Sequence, residues 1–439
     1  MISIFASHGA GRLARTLTAV GAVFIAATAC YDAGKILDQD APSRVTATDL
    51  DNPNYAQLLV NSAIGDFECA FTQYIVATGL VGDELIDAQL SQAGWDYDRR
   101  TIFPASGPYS LFQCGQTQVP ALYTPLAVAR FDADKILKEL QGWTDAQVAN
   151  RQSLIATAAV YAGYSLELLG EAMCSGAIDL GPEMTRQQLF AAAEARFTTA
   201  ITAATGTNPT MLKAAYVGRA RARLNQNNLT GAGADAALVT DSTFVLSASY
   251  SATATRRENM VWSQMYRGLF SSVDPSYRGL TFGGVADPRV TVVDAGVKGQ
   301  DSNTEIWRQT KYTTISSSIP IARYAEAQLI LAEADNAANN TAAAVNIINA
   351  LHAKAGIPAY AGGTQDEVQT QIIEERRREL FLEGQRFGDL IRYNIAIQPA
   401  PGAPFPVKGG SYGPNTGLQL CFPLPDVERN NNPNIGKTS

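Results

Sequence analysis

The chain has 439 residues, 46% hydrophobic and 17% charged, enough apolar material to bury one large core or two ordinary ones. Its formal charge is -7, and the first 29 residues hold Arg12 and Arg15 but no acid, so without them 32 basic residues face 41 acidic ones, or -9. A net-acidic chain lacks the cationic excess that neutralises phosphates, which excludes general nucleic-acid binding.

In chain order, Arg12 and Arg15 open a short positive region, and "LTAVGAVFIAATA" (Leu17 to Ala29) is an uncharged, mostly apolar stretch ending in small residues before Cys30. This is the pattern of a secretory signal, and it is shorter than the ~20 apolar residues that a bilayer-spanning helix needs. Because it ends at a cysteine, it resembles a bacterial lipoprotein signal, in which Cys30 is lipidated and becomes the new N-terminus. Ala27 stands where a leucine is more usual. Residues 1–29 therefore read as a signal peptide, 30–52 as a polar tether to the lipid, and 53–439 as the folded domain.

Four other cysteines follow, Cys69, Cys114, Cys174 and Cys421, and an oxidising compartment permits three ways of pairing them, or four buried thiols. No C-x-x-C occurs, and His352 is the single histidine past the signal, so zinc is not expected. A Ser-His-Asp or Cys-His device would have to use His352, which lies in the helical run "NIINALHAKAG".

Helical patterns dominate the domain. Helices are predicted over 54–78, 119–140, 147–173, 185–204, 209–226, 321–337, 341–355 and 365–394. In 185–204, Leu189, Ala193, Phe197 and Ile201 recur every four positions, and Thr185 with Gln188 offers a capping box. Residues 321–355 read as an antiparallel helical hairpin with an Asn-rich turn. Small residues at the expected helix contacts, with an aromatic nearby, resemble tetratricopeptide-type pairs without a regular 34-residue period. The scaffold spans about 53–240 and 319–395, with loop-rich excursions at 79–118, 241–318 and 396–439, too long to be simple connectors.

The densest charge cluster is "EERRRELFLEGQRF", residues 374–387. On one continuous helix, Ile373, Leu380, Gly384, Phe387 and Ile391 form a buried stripe that includes Arg377, which then needs a partner from elsewhere in the fold. Glu374 pairs with Arg378, Glu383 with Arg386, and Glu379 with Arg376. Glu375, Glu379 and Glu383 share a face as a glycosidase carboxylate pair would, but the surrounding arginines favour their ionised form and make them poor proton donors.

This stretch, the preceding "PIARYAEAQLILAEADN", and in order "GDE" (Gly82 to Glu84), "ADPRV" (Ala286 to Val290), "RQTKY" (Arg308 to Tyr312) and "CFPLPDVERNNNPNIG" (Cys421 to Gly436) resemble the SusD/RagB family of nutrient-capturing outer-membrane lipoproteins. The resemblance implies a mostly α fold, SusD-like, with tetratricopeptide-like helix pairs and long loop-rich excursions that carry the ligand site. It implies no catalysis and no cofactor. It also implies a SusC-like TonB-dependent barrel as partner, lipid anchoring at the outer membrane facing the cell surface, and an oligosaccharide or, in RagB-like members, a peptide as ligand. A periplasmic helical-repeat adaptor that binds protein is the competing class.

Sugar sites need flat aromatic faces with polar groups beside them. "GWDYDRR" supplies Trp95, Tyr97, Arg99 and Arg100, with Tyr109 and Gln113 nearby; the second excursion supplies Trp262, Tyr266, Arg267 and Tyr277. Trp95 leads, because four of the next five residues are charged, which argues against burial.

Overall fold

The computed structural model describes residues 51–403, 417 and 420–436. The signal peptide, Cys30 and nearly all of the tether lie outside the described residues, as does the 404–416 stretch of the tail.

Helices in chain order are α1 (Ala56–Val81), α2 (Gln92–Asp98), α3 (Gly107–Leu111), α4 (Tyr123–Gly142), α5 (Arg151–Ala172), α6 (Arg186–Ala204), α7 (Pro209–Asn225), α8 (Leu229–Ala236), α9 (Met260–Tyr266), α10 (Tyr324–Ala337), α11 (Thr341–Ala355), α12 (Gln365–Glu379), α13 (Arg386–Arg392) and α14 (Asp426–Asn431). Among the described residues ten short strands form five antiparallel pairs: β1 (Leu85–Asp87) with β5 (Ser271–Val273), β2 (Ser175–Gly176) with β3 (Met184–Thr185), β4 (Val245–Ala248) with β10 (Ile319–Arg323), β6 (Thr281–Phe282) with β7 (Val285–Ala286), and β8 (Val292–Lys298) with β9 (Glu305–Gln309). The architecture is mostly helical, as expected.

The predicted helix starts have a visible cause. Thr185 accepts from the Gln188 backbone while the Gln188 side chain returns to the Thr185 backbone, so the capping box forms as read. Asn208 caps α7 ahead of Pro209, whose missing N–H costs nothing in the first turn. The 321–337 helix begins three residues late because Ile319–Arg323 pair as β10 with β4.

Neighbouring helices pack in sequence order, α1 on α4, α4 on α5, α5 on α6 and α6 on α7; α10 then gathers α8, α11 and α12. Phe197 shows how the aromatic-and-small-residue rule works. Its ring meets Tyr164 edge-on at 4.9 Å. A Cβ at Gly163 or Gly218 would stand only 2.6 or 2.3 Å from that ring, so glycine on α5 and α7 lets the three backbones close around it. α5, apolar enough by composition to cross a membrane, is the almost wholly buried centre of this core.

The cysteines pair Cys69–Cys114 and Cys174–Cys421, one of the three arrangements open from sequence. The first ties α1 to the end of the first excursion. The second fixes the tail to the end of α5, where the Cys174 amide donates to the Phe422 carbonyl at 2.8 Å.

Residues 365–394 are not one helix. α12 stops at Glu379, Leu382 and Gly384 take positive φ of 54° and 89°, and α13 starts at Arg386. Tertiary bonds replace the helical ones across the break: Leu382 donates to the Glu84 carboxylate at 2.7 Å, and its carbonyl accepts from the Tyr312 hydroxyl at 3.0 Å.

Candidate functional site

The 374–387 cluster is a junction of buried ion pairs. Glu374 meets Arg378 at 2.7 Å as expected, but the other two local pairs do not form. Arg376 pairs with Asp389 at 2.8 Å, Arg386 with Asp83, Glu379 with Arg323 and Arg289, and Glu383 with Lys311 and Arg323. The break after Glu379 turns Glu383 and Arg386 away from the α12 register. Arg377 lies half-buried rather than on the core stripe: its guanidinium covers the Tyr277 ring at 4.2 Å and donates to Glu374 and to the Ser276 carbonyl. The buried positions of α12 are Val368, Ile372, Glu375, Arg376 and Arg378.

Glu375 is fully buried and meets both His352, at 2.7 Å, and Arg289. His352 itself is completely enclosed, more so than a helix-surface or part-buried histidine. Burial alone would raise the Glu375 carboxyl, but His352 and Arg289 outweigh it and hold it below the usual range. Burial also opposes the charge on Glu379, and Arg323 and Arg289 again win. Carboxylates held ionised in this way serve poorly as general acids. Asp83, Glu84, Asp287, Arg289, Lys311 and Tyr312, all in the quoted motifs, converge on this junction.

The two central excursions join into one loop-built surface. β1 pairs with β5 in the register Leu85↔Val273, and the Ala88 amide donates to the Phe270 carbonyl at 2.8 Å. Trp95, on α2, is half-buried and donates its indole N–H to the Gln89 carbonyl at 2.7 Å. Its charged neighbours do not push it fully out, because Arg99 folds back onto Asp96 and Arg100 is buried with an N–H on the Pro399 carbonyl.

Tyr97 and Tyr109 are core residues, contrary to the reading that offered them to a sugar. Tyr97 is 1% exposed, donates to the Pro120 carbonyl and packs edge-on against Phe422; Tyr109 is wholly buried and donates to the Pro423 carbonyl. Arg99 is also nearly closed off, at 8% exposure. Tyr277 is buried between Phe381 and Arg377. Gln113 is exposed, and Arg267, also exposed, pairs with Glu258.

Trp262 and Tyr266 do form a surface feature. One helical turn apart on α9, their rings stack at 5.3 Å with planes 2° apart, and both are half-buried. Arg308 of β9 lies over the Tyr266 ring at 4.9 Å, and the Tyr266 hydroxyl donates to the Gln309 carbonyl. Sequence reasoning passed over Trp307, which precedes "RQTKY" and sits half-buried with Arg278 4.8 Å from its ring. Its signal was a tryptophan on a short strand directly before Arg308; Arg278 had none.

A cavity of about 340 Å³ opens beside α2 and α3, lined by Ala93, Ile102, Phe103 and Pro108 with Gln92 and Ser106. Among the described residues no group of three or more His, Cys, Asp or Glu side chains could hold a metal ion.

Residues 297–438 match the SusD family. A SusD-like protein of Formosa agariphila is 33% identical over 91 residues, which cover 19% of this chain and only 18% of that protein's length. Among solved structures, a SusD superfamily protein from Bacteroides fragilis aligns with a TM-score of 0.65 at 18% identity, covering 88% of this chain and 99% of that one. A SusD-like carbohydrate binding protein from Bacteroides vulgatus gives 0.61 at 16%, covering 88% and 98%. A laminarin binding SusD-like protein gives 0.63 at 17%, again covering 88% and 98%.

Proposed function

We propose that this chain, SusD-like in sequence over its C-terminal third and in fold over most of its length, is a non-catalytic glycan-binding protein that captures an oligosaccharide on its loop-built surface. The observation that carries this reading is the group of half-exposed aromatic faces on the joined excursions: Trp95, the Trp262–Tyr266 stack and Trp307, each with polar or cationic groups beside it. Flat rings suit the apolar faces of sugars, while neighbouring carbonyls, carboxylates and guanidinium groups suit hydroxyls. The laminarin binding of one structural neighbour and the carbohydrate-binding name of another support the ligand class.

On the same reading Cys30 carries lipid, the protein sits at the outer membrane facing outward, and the captured sugar passes to a SusC-like TonB-dependent barrel. Two experiments test this. Calorimetric titration with a panel of oligosaccharides, laminarin among them, and of peptides is expected to give saturable binding by a glycan, weakened in Trp95→Ala; binding by peptides alone would favour a RagB-like role. Purification from membranes in mild detergent is expected to bring down a large β-barrel, and a clean monomer would count against delivery.

A further inference from the structure

Residues 114–121 have no regular secondary structure, yet buried side chains take up their backbone groups from three directions. Gln73 of α1 donates to the Gln116 carbonyl at 2.9 Å, and its amide oxygen accepts from the Ala121 N–H at 2.8 Å. Gln264 of α9 donates to the Thr117 and Gln118 carbonyls at 2.8 and 3.0 Å. Gln89 donates to the same Gln118 carbonyl at 3.2 Å. All three glutamines are at most 2% exposed, and the Cys69–Cys114 bridge ties the segment to α1 covalently.

Both far ends of this arrangement finish at half-buried aromatics of the loop-built surface. The Gln89 carbonyl holds the Trp95 indole N–H, and Gln264 lies on α9 between Trp262 and Tyr266.

We infer that residues 114–121, held by Gln73, Gln89, Gln264 and the Cys69–Cys114 disulfide, act as a strut that sets the placement of Trp95 relative to the Trp262–Tyr266 stack. That these rings bind glycan rests on the function proposed above; that the strut positions them does not. The glutamines and the bridge are positioning residues, acting through the rings rather than on a ligand. The strut works because Gln73 and Gln264 reach loop carbonyls from helices α1 and α9 while Gln89, two residues past β1, joins the same segment to Trp95, so a displacement at one end is carried to the other instead of being absorbed by loose chain.

The test uses protein labelled with 5-fluorotryptophan, whose four indoles, Trp95, Trp143, Trp262 and Trp307, are assigned by single Trp→Phe changes. Two variants are compared with the parent: Gln264→Met, which keeps the volume and removes the donor, and the double change Cys69→Ser with Cys114→Ser. The expected result in both is a shift or broadening of the Trp95 and Trp262 resonances while Trp143, at the end of α4, stays in place. Laminarin oligosaccharide affinity is expected to fall about tenfold, with melting temperature lowered by only a few degrees. Unmoved Trp95 and Trp262 resonances in both variants, or all four indoles changing together, would overturn the inference. If the parent protein binds no glycan but Trp95 and Trp262 move as described, the strut stands and the glycan reading falls.

Discussion

Arg376 and Arg377 are adjacent, but the structure assigns them very different weights, and Arg376→Met measures the difference. The Arg376 side chain is 2% exposed and its Nε donates to Asp389, itself 6% exposed, at 2.8 Å. Removing one member of a buried pair costs about 3–5 kcal/mol because it strands the other charge. Asp389 keeps Arg392 at 3.1 Å, which places the expected loss near the lower end, about 3 kcal/mol. Arg377→Met removes a half-buried guanidinium from the Tyr277 face, a cation–π contact of about 1 kcal/mol. Burial would raise the Asp389 carboxyl, but Arg376 and Arg392 depress it. Its contribution is therefore present above the unfolded carboxylate pKa and lost as pH falls through the depressed one. Urea unfolding at pH 7, followed by circular dichroism, compares the two variants with the parent. Equal losses, or a larger one for Arg377→Met, would refute the assignment of Arg376 as the buried clamp.

Three further outcomes follow from particular contacts. Gly218→Ala forces a methyl group within 2.3 Å of the Phe197 ring and is expected to cost about 1–3 kcal/mol, read as a lowered urea midpoint. Tyr97→Phe removes the bond to the Pro120 carbonyl and is expected to cost about 1 kcal/mol of stability while leaving glycan affinity unchanged; lost affinity would return Tyr97 to the binding surface. Burial raises Glu84 from 4.5 to about 7. Since the folded value lies above the unfolded one, stability is full below pH 4.5 and is lost as pH rises toward 7, so Glu84→Gln is expected to flatten the stability profile between pH 5 and 8, and an unchanged slope would contradict this.

Local patterns were legible in the sequence. The 341–355 helix, the Thr185 capping box and the Glu374–Arg378 pair depend on neighbours within four residues, and the structure has all three. The break between α12 and α13 was not legible, because the apolar spacing runs on unbroken while the bonds that hold the turn come from Glu84 and Tyr312, hundreds or tens of residues away. For the same reason the partners of Glu375, Glu379 and Glu383 were missed: Arg289, Lys311 and Arg323 lie on other elements.

The aromatics divide along similar lines. A tyrosine amid charges reads as exposed, but Tyr97 turns into the core while its charged neighbours Asp96 and Arg99 satisfy each other. Trp262 and Tyr266 were recoverable because stacked rings one helical turn apart leave a spacing of four. Trp307 needed its strand and the guanidinium of Arg278, which arrives from another segment.

The most direct measurement is calorimetric titration of a glycan panel into the protein and its Trp95→Ala variant, with a parallel assay for newly released reducing ends. Saturable binding of at least one oligosaccharide is expected, about two- to tenfold weaker in the variant at the ~0.5–1.5 kcal/mol an aromatic contact contributes beyond its buried area, with no release of reducing ends. Absence of glycan binding, affinity indifferent to Trp95, or steady cleavage of the sugar would contradict it.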